Sequence, residues 1–206
     1  MNKLILTVFT VLSIFGLTFA QDDKKPELFG GYSFESVESG IKSSDLGTTT
    51  TLDNRFKTNG FNVAGTGYLT KRFGITADFV GTYNSRSDVF GSTSGQSKLS
   101  LYNLTGGPQL RFLGHSKFTP FVQGLAGLAR RNFTETIAPT SYSDNTTSFA
   151  LNLGGGLDYK MTRRLSWRLF QVDYNPIFER ARTVNAIAIP SRTLNGFRFA
   201  TGIVIK

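Results

Sequence analysis

Residues 149–174, FALNLGGGLDYKMTRRLSWRLFQVDY, decide the fold. Phe149, Leu151, Leu153, Leu157 and Tyr159 alternate with Asn152, Gly154, Gly156, Asp158 and Lys160. A period of two over this length is a strand with one apolar and one polar face. Met161 to Arg164 makes a short basic turn, after which Leu165, Trp167 and Leu169 resume the apolar face opposite Ser166 and Arg168. Two such strands joined by so short a link pair as an antiparallel hairpin. Ordinary strands run about 5–6 residues and membrane-crossing ones about 9–11. These are of the longer kind.

The remainder of the chain repeats this plan. Strand one spans 27–35, with Leu28, Gly30, Tyr32 and Phe34 on one face and Glu27, Gly31, Ser33 and Glu35 on the other. A Ser/Thr/Gly-rich stretch from Ser36 to Thr58 lacks periodicity and reads as a long loop. Strand two covers 60–70, Lys71-Arg72 turns the chain, and strand three covers 73–83. Phe73, Ile75, Ala77, Phe79, Gly81 and Tyr83 share one face of strand three, and Thr76, Asp78 and Thr82 the other. Asn84 to Ser97 reads as a second polar loop. Strand four spans 98–112; its Gly106-Gly107-Pro108 predicts a bulge or bend, because proline donates nothing to a ladder. Leu113 to Lys117 is a turn. Strand five, 118–131, has no clear facing, since Phe121 and Leu125 share parity with Gln123. Asn132 to Thr147 and Asn175 to Arg192 read as the third and fourth long loops. Between them the opening hairpin supplies strands six and seven, and residues 193–205 form strand eight.

Eight strands with short turns and long loops in alternation predict an all-β, eight-stranded antiparallel up-and-down transmembrane β-barrel. Tyr68, Phe73, Phe112, Phe118, Tyr159 and Trp167 flank the short turns and predict an aromatic girdle at a lipid–water interface. A lipocalin-type carrier, the soluble alternative, would turn its apolar residues inward. The turns are basic and the loops carry both signs, which places the turns in the periplasm and the loops outside the cell.

Composition agrees with that reading. Residues 1–20 carry Lys3, an apolar run from Leu4 to Leu17 and Thr18-Phe19-Ala20, the pattern of a cleaved secretory signal peptide, leaving 21–206 as the barrel domain. The chain holds no cysteine, which excludes disulfides, thiolate metal sites and a lipid-modified N-terminal cysteine. Its formal charge is +9, one less once Lys3 leaves with the leader. Without a basic helix, and with an export signal, that balance points to anionic lipid headgroups and not to nucleic acid.

Taken together, these features make the chain resemble the small outer-membrane β-barrel proteins, the OmpA/OmpX-like group often labelled porin family. The resemblance spans residues 21–206 and rests on the strand rhythm, Gly30-Gly31-Tyr32, Gly107-Pro108, the run Leu153 to Asp158 into its basic turn, and Arg168 to Tyr174. It implies residence in the bacterial outer membrane, contact with lipid including lipopolysaccharide, and insertion by the barrel-assembly machinery. Against the family pattern, this chain ends on Ile205-Lys206 where an aromatic residue is common, and no peptidoglycan-binding tail is expected.

The polar strand faces contribute Asp78, Arg111, Asp158, Arg168 and Arg198, with Asn103, Gln109 and Asn152. An eight-strand lumen is only wide enough for side chains to fill it, so these charges are expected to pair as a plug. A narrow polar channel is the alternative. Arg168, Gln171 and Asp173 can all face inward only with a bulge near Phe170. Catalysis is not expected: the lone histidine, His115, sits in a turn with no acid beside it. Gly154-Gly155-Gly156 lacks the helix and Lys-Ser/Thr of a phosphate loop and reads as close strand packing. No cofactor or metal is expected. The function this predicts is structural or adhesive, with an unidentified surface partner at the long loops.

Overall fold

The computed structural model describes residues 26–38, 55–90, 93–112, 117–137, 140–184, 187–189 and 191–206. The expected leader, His115 and most of the first long loop lie outside the described residues. The strands are β1 (Glu27–Glu38), β2 (Arg55–Tyr68), β3 (Phe73–Phe90), β4 (Thr93–Arg111), β5 (Phe118–Ile137), β6 (Thr140–Lys160), β7 (Leu165–Glu179), β8 (Arg182–Val184), β9 (Ile187–Ile189) and β10 (Arg192–Ile205). Eight of them close a barrel in the order β1-β10-β7-β6-β5-β4-β3-β2, and β8 and β9 form a separate hairpin between β7 and β10. Every neighbour in the ring is antiparallel, and β1 against β10 makes the closure.

The alternation sets which face meets which environment. Leu104 and Leu128 are 59 % and 56 % exposed, whereas Leu101 and Leu125, of the opposite parity, are 2 % and 1 %. Phe79, Tyr32, Val122, Leu153, Phe199 and Ile203 join the outward set, so an apolar belt encircles the barrel. A water-soluble protein rarely shows a continuous apolar surface of that kind. A lipid-embedded barrel requires one. The lipocalin-type arrangement, with its apolar face inside, is not favoured by this distribution.

All four expected long loops give residues to strands. Asn84–Ser97 and Asn132–Thr147 are not loops: β3 and β4 pair up to Phe90↔Thr93, and β5 and β6 up to Ile137↔Thr140. Each pair is joined across two residues. Above the apolar belt no lipid selects apolar side chains on one face, so the hydrophobic alternation vanishes although the β-ladder continues. Ser36–Glu38 and Arg55–Thr58 likewise belong to strands, as do Asn175–Glu179. Strand five turns Phe121, Gln123, Leu125 and Ala129 into the lumen and Val122 and Leu128 to lipid.

No bulge forms at Gly106-Gly107-Pro108. The β4–β5 register runs from Gly106↔Ala126 to Gln109↔Gln123 without a shift, and only positions 107 and 108 drop out of that ladder. Pro108 costs a missing donor there but no extra residue. The bulge in β7 is present: β6 pairs Leu157↔Phe170 and then Asp158↔Arg168, and β10 pairs Ala200↔Gln171 and then Gly202↔Arg168. Inserting one residue restores inward parity, so Arg168, Gln171 and Asp173 are all buried.

Candidate functional site

The lumen is stacked in levels along the barrel axis. At the short-turn rim Glu27 accepts a hydrogen bond from Tyr68 Oη at 2.7 Å and pairs with Arg111 at 2.8 Å and Lys206 at 3.1 Å. Gln109 donates to Tyr68 Oη at 2.9 Å, and Thr76 donates to Gln109 at 3.1 Å. The Arg111 guanidinium lies 3.7 Å from the centroid of the Tyr68 ring. Tyr68 is therefore not a girdle residue. Its parity on β2 is that of Asn62, Ala64 and Thr66, all buried, and its hydroxyl satisfies the carboxylate of Glu27. Leu69, 49 % exposed, takes the outward place beside the turn. Phe73, Phe112, Phe118 and Trp167 stand on the outer surface near the turns, and the half-buried Tyr159 packs on Phe118 with ring centroids 5.3 Å apart.

One level further in, Arg168 makes a two-pronged contact with Asp158, Nε to Oδ1 at 2.8 Å and Nη2 to Oδ2 at 3.2 Å. Its guanidinium sits between the rings of Phe29 and Phe121, 4.4 and 4.1 Å from their centroids. Such a cation is held by charge, by planar hydrogen bonds and by the negative ring faces at once. Arg168 Nη1 donates to Gln171 at 2.7 Å, and Gln171 Nε2 donates to Asp173 at 2.7 Å. This links the level to the next.

Arg198 lies at the centre. On β10 it pairs directly with Glu35 of β1 and Asp173 of β7 in the ladder. Its Nη2 reaches Asp173 at 2.8 Å and crosses the lumen to Asp78 of β3, also at 2.8 Å. All three side chains are at most 1 % exposed. Asn62 donates to Asp78, Gln123 donates to Asp173 at 3.1 Å, and Asn175 donates to Glu35 at 2.8 Å. Towards the far rim follows an apolar layer of Val37, Leu101, Ala129, Ala150, Ile177 and Leu194, with Phe56 against it. Beyond it Glu179 pairs with Arg131 and Arg192 at 2.9 and 2.8 Å.

Of the five lumen charges singled out from the sequence, Asp78, Asp158, Arg168 and Arg198 fall in one chain of contacts, joined through Gln171 and Asp173. Arg111 belongs to the separate rim cluster with Glu27. Sequence reasoning named neither Glu27, Tyr68 and Glu35 as members of these clusters nor the aromatic pair Phe29 and Phe121. Strict parity with Ser33 and Gln123 would have found Glu35, Phe29 and Phe121. Gly154, Gly155 and Gly156 serve strand contact: a Cβ on each would lie 2.2–2.4 Å from the carbonyl oxygens of Val172, Phe121 and Phe170 respectively.

Most of the described acids thus lie inside. Among the described residues six carboxylates are buried: Glu27, Glu35, Asp78, Asp158, Asp173 and Glu179. On the outer side just above the belt stand Lys57, Lys98 and Arg130, all exposed, and Glu38, which pairs with Arg55 at 3.7 Å. Among the described residues, no group of three or more His, Cys, Asp or Glu side chains could hold a metal ion.

A closed antiparallel barrel with an outward apolar belt and an ion-paired lumen is an integral outer-membrane protein. The chain belongs to the outer membrane protein beta-barrel domain family, whose model matches residues 6–179. No curated protein matches the sequence. Solved structures of similar fold include Ail, the attachment invasion locus protein of Yersinia pestis, 18 % identical with a TM-score of 0.55, covering 89 % of this chain and 99 % of that one. Neisserial surface protein A is 11 % identical with a TM-score of 0.52, covering 88 % and 96 %. The outer membrane protease OmpT from Escherichia coli is 10 % identical with a TM-score of 0.53, covering 92 % and 98 %. At these identities the likeness is one of fold.

Proposed function

We propose that the protein is a closed, non-catalytic outer-membrane barrel whose role is structural and adhesive, exercised through its outer surface above the belt. The observation that carries this reading is the burial of most of the described acids. Buried carboxylates committed to arginines are available neither as general bases nor as ion ligands in a water-filled path. With six acids buried and Glu38 paired with Arg55, the outer surface above the belt keeps Lys57, Lys98 and Arg130 among hydroxyl and amide side chains such as Asn59, Ser100, Asn132 and Thr147. Such a surface suits polyanions, including the phosphates of lipopolysaccharide headgroups beside it and sulfated polysaccharide on an opposing surface. The β3–β4 and β5–β6 hairpins extend the wall outward beyond it.

Ail has been solved in complex with the heparin analogue sucrose octasulfate, which makes a sulfated polysaccharide a reasonable probe. Cells displaying this barrel should attach to a heparin-coated surface. The triple variant Lys57→Gln, Lys98→Gln, Arg130→Gln should fall to the level of cells lacking the barrel while keeping heat-modifiable migration on a detergent gel. Undiminished attachment of the triple variant would contradict this assignment.

A further inference from the structure

Two of the short turns are the same device. Leu69-Thr70-Lys71-Arg72-Phe73 joins β2 to β3, and Met161-Thr162-Arg163-Arg164-Leu165 joins β6 to β7. Each reads apolar, threonine, base, arginine, apolar. The hydrogen bonds match as well. Thr70 Oγ1 accepts from Arg72 N at 3.3 Å and Phe73 N at 2.9 Å; Thr162 Oγ1 accepts from Arg164 N at 3.3 Å and Leu165 N at 3.0 Å. Leu69 N and Thr70 N donate to Phe73 O, as Met161 N and Thr162 N donate to Leu165 O. The next strand is tied in the same way: Arg111 N donates to Arg72 O at 2.8 Å, and Lys206 N to Arg164 O at 2.9 Å.

The equivalence has an electrostatic consequence. Arg111 and Lys206 both turn inward to Glu27 and share its one negative charge. Lys71, Arg72, Arg163 and Arg164 are exposed, and among the described residues no carboxylate pairs with any of them. The threonine-capped backbone presents two cations side by side at each turn. Beside them stand apolar residues of matching exposure, Leu69 and Met161 at 49 % and 58 %, Phe73 and Leu165 at 37 % and 39 %. Apolar side chains continuous with the lipid belt fix the depth of the cations at the level of the headgroups. In the ring order two strands separate the turns either way, β4 and β5 on one side and β1 and β10 on the other. The turns therefore stand on opposite sides of the barrel.

We propose that these two turns are a matched pair of binding sites for anionic phospholipid headgroups in the leaflet at the short-turn rim, gripping it at opposite points. A phosphate carries the charge that four unpaired cations need, and a headgroup is what lies beside residues inserted at that depth. This inference rests on the barrel being embedded in lipid and not on whether its lumen is closed.

The purified barrel, folded in vesicles of phosphatidylcholine alone or with added phosphatidylglycerol, tests it by its urea unfolding midpoint. Phosphatidylglycerol should raise the midpoint of the wild type. The variant Lys71→Gln, Arg72→Gln, Arg163→Gln, Arg164→Gln should lose that gain yet match the wild type in phosphatidylcholine. Each two-residue variant should lose about half, since distant sites add. The charge-keeping changes Arg72→Lys and Arg164→Lys should retain the gain. A gain that survives in the fourfold variant would overturn the proposal. So would a wild type without any gain whose co-sedimentation with peptidoglycan depends on the same four residues.

Discussion

Replacing Arg198 by alanine should lower the free energy of unfolding by about 3–5 kcal/mol, the cost of removing one partner from a buried ion pair. The substitution leaves Asp78 and Asp173, both within 2.8 Å of the guanidinium, facing each other without a counter-charge. Glu35, its ladder neighbour and fully buried, loses the same cation. The damage comes from the stranded acids more than from the lost contacts. Asp78→Asn and Asp173→Asn added to Arg198→Met should therefore recover much of the loss, because amides keep the size and shape of the acids without their charge. Urea unfolding of the barrel in detergent, followed by tryptophan fluorescence, measures both. A single variant as stable as the wild type would mean that Arg198 does not organise the lumen.

Replacing Arg168 by alanine should cost about 3 kcal/mol, the lower end of the range for a broken buried pair. Asp158 stands two residues from the end of β6, where water reaches a stranded carboxylate more readily than at the level of Arg198. The loss also includes the stacking of the guanidinium between Phe29 and Phe121. Arg168→Lys should not restore the wild-type midpoint. An ammonium cannot span both oxygens of Asp158 while donating to Gln171, nor lie flat between two rings. An unchanged midpoint in Arg168→Ala would count against the pairing.

The barrel was legible wherever lipid met one face of a strand and the lumen the other. Phe149 to Tyr159 alternates because Leu153 faces lipid and Asn152 faces the lumen. Even the β7 bulge could be anticipated, since Arg168, Gln171 and Asp173 cannot share a face without it. Above the belt the signal stops. Ser85, Ser87 and Ser97 belong to β3 and β4 as Phe79 and Leu104 do, but beyond the lipid nothing selects apolar residues at alternate positions. Serine- and threonine-rich sequence then looks like a loop. Tyr68 departs from expectation for another reason: it stands beside a turn, as a girdle residue would, but its parity places it in the lumen beside Glu27. The lumen charges were visible as residue types. Their partners were not, because Arg198 meets Asp78 only when strands far apart in sequence close into a ring.

Single-channel recording of the purified barrel in a planar lipid bilayer tests the closed lumen most directly. The Arg198 contacts cross the lumen from β10 to β3, and the apolar layer around Leu101, Ile177 and Leu194 lies at the level above. The wild type should insert without a steady ionic current, whereas Arg198→Ala should admit intermittent current as the central pairing fails. A steady, voltage-stable conductance from the wild type would contradict the account and make the polar lumen a channel.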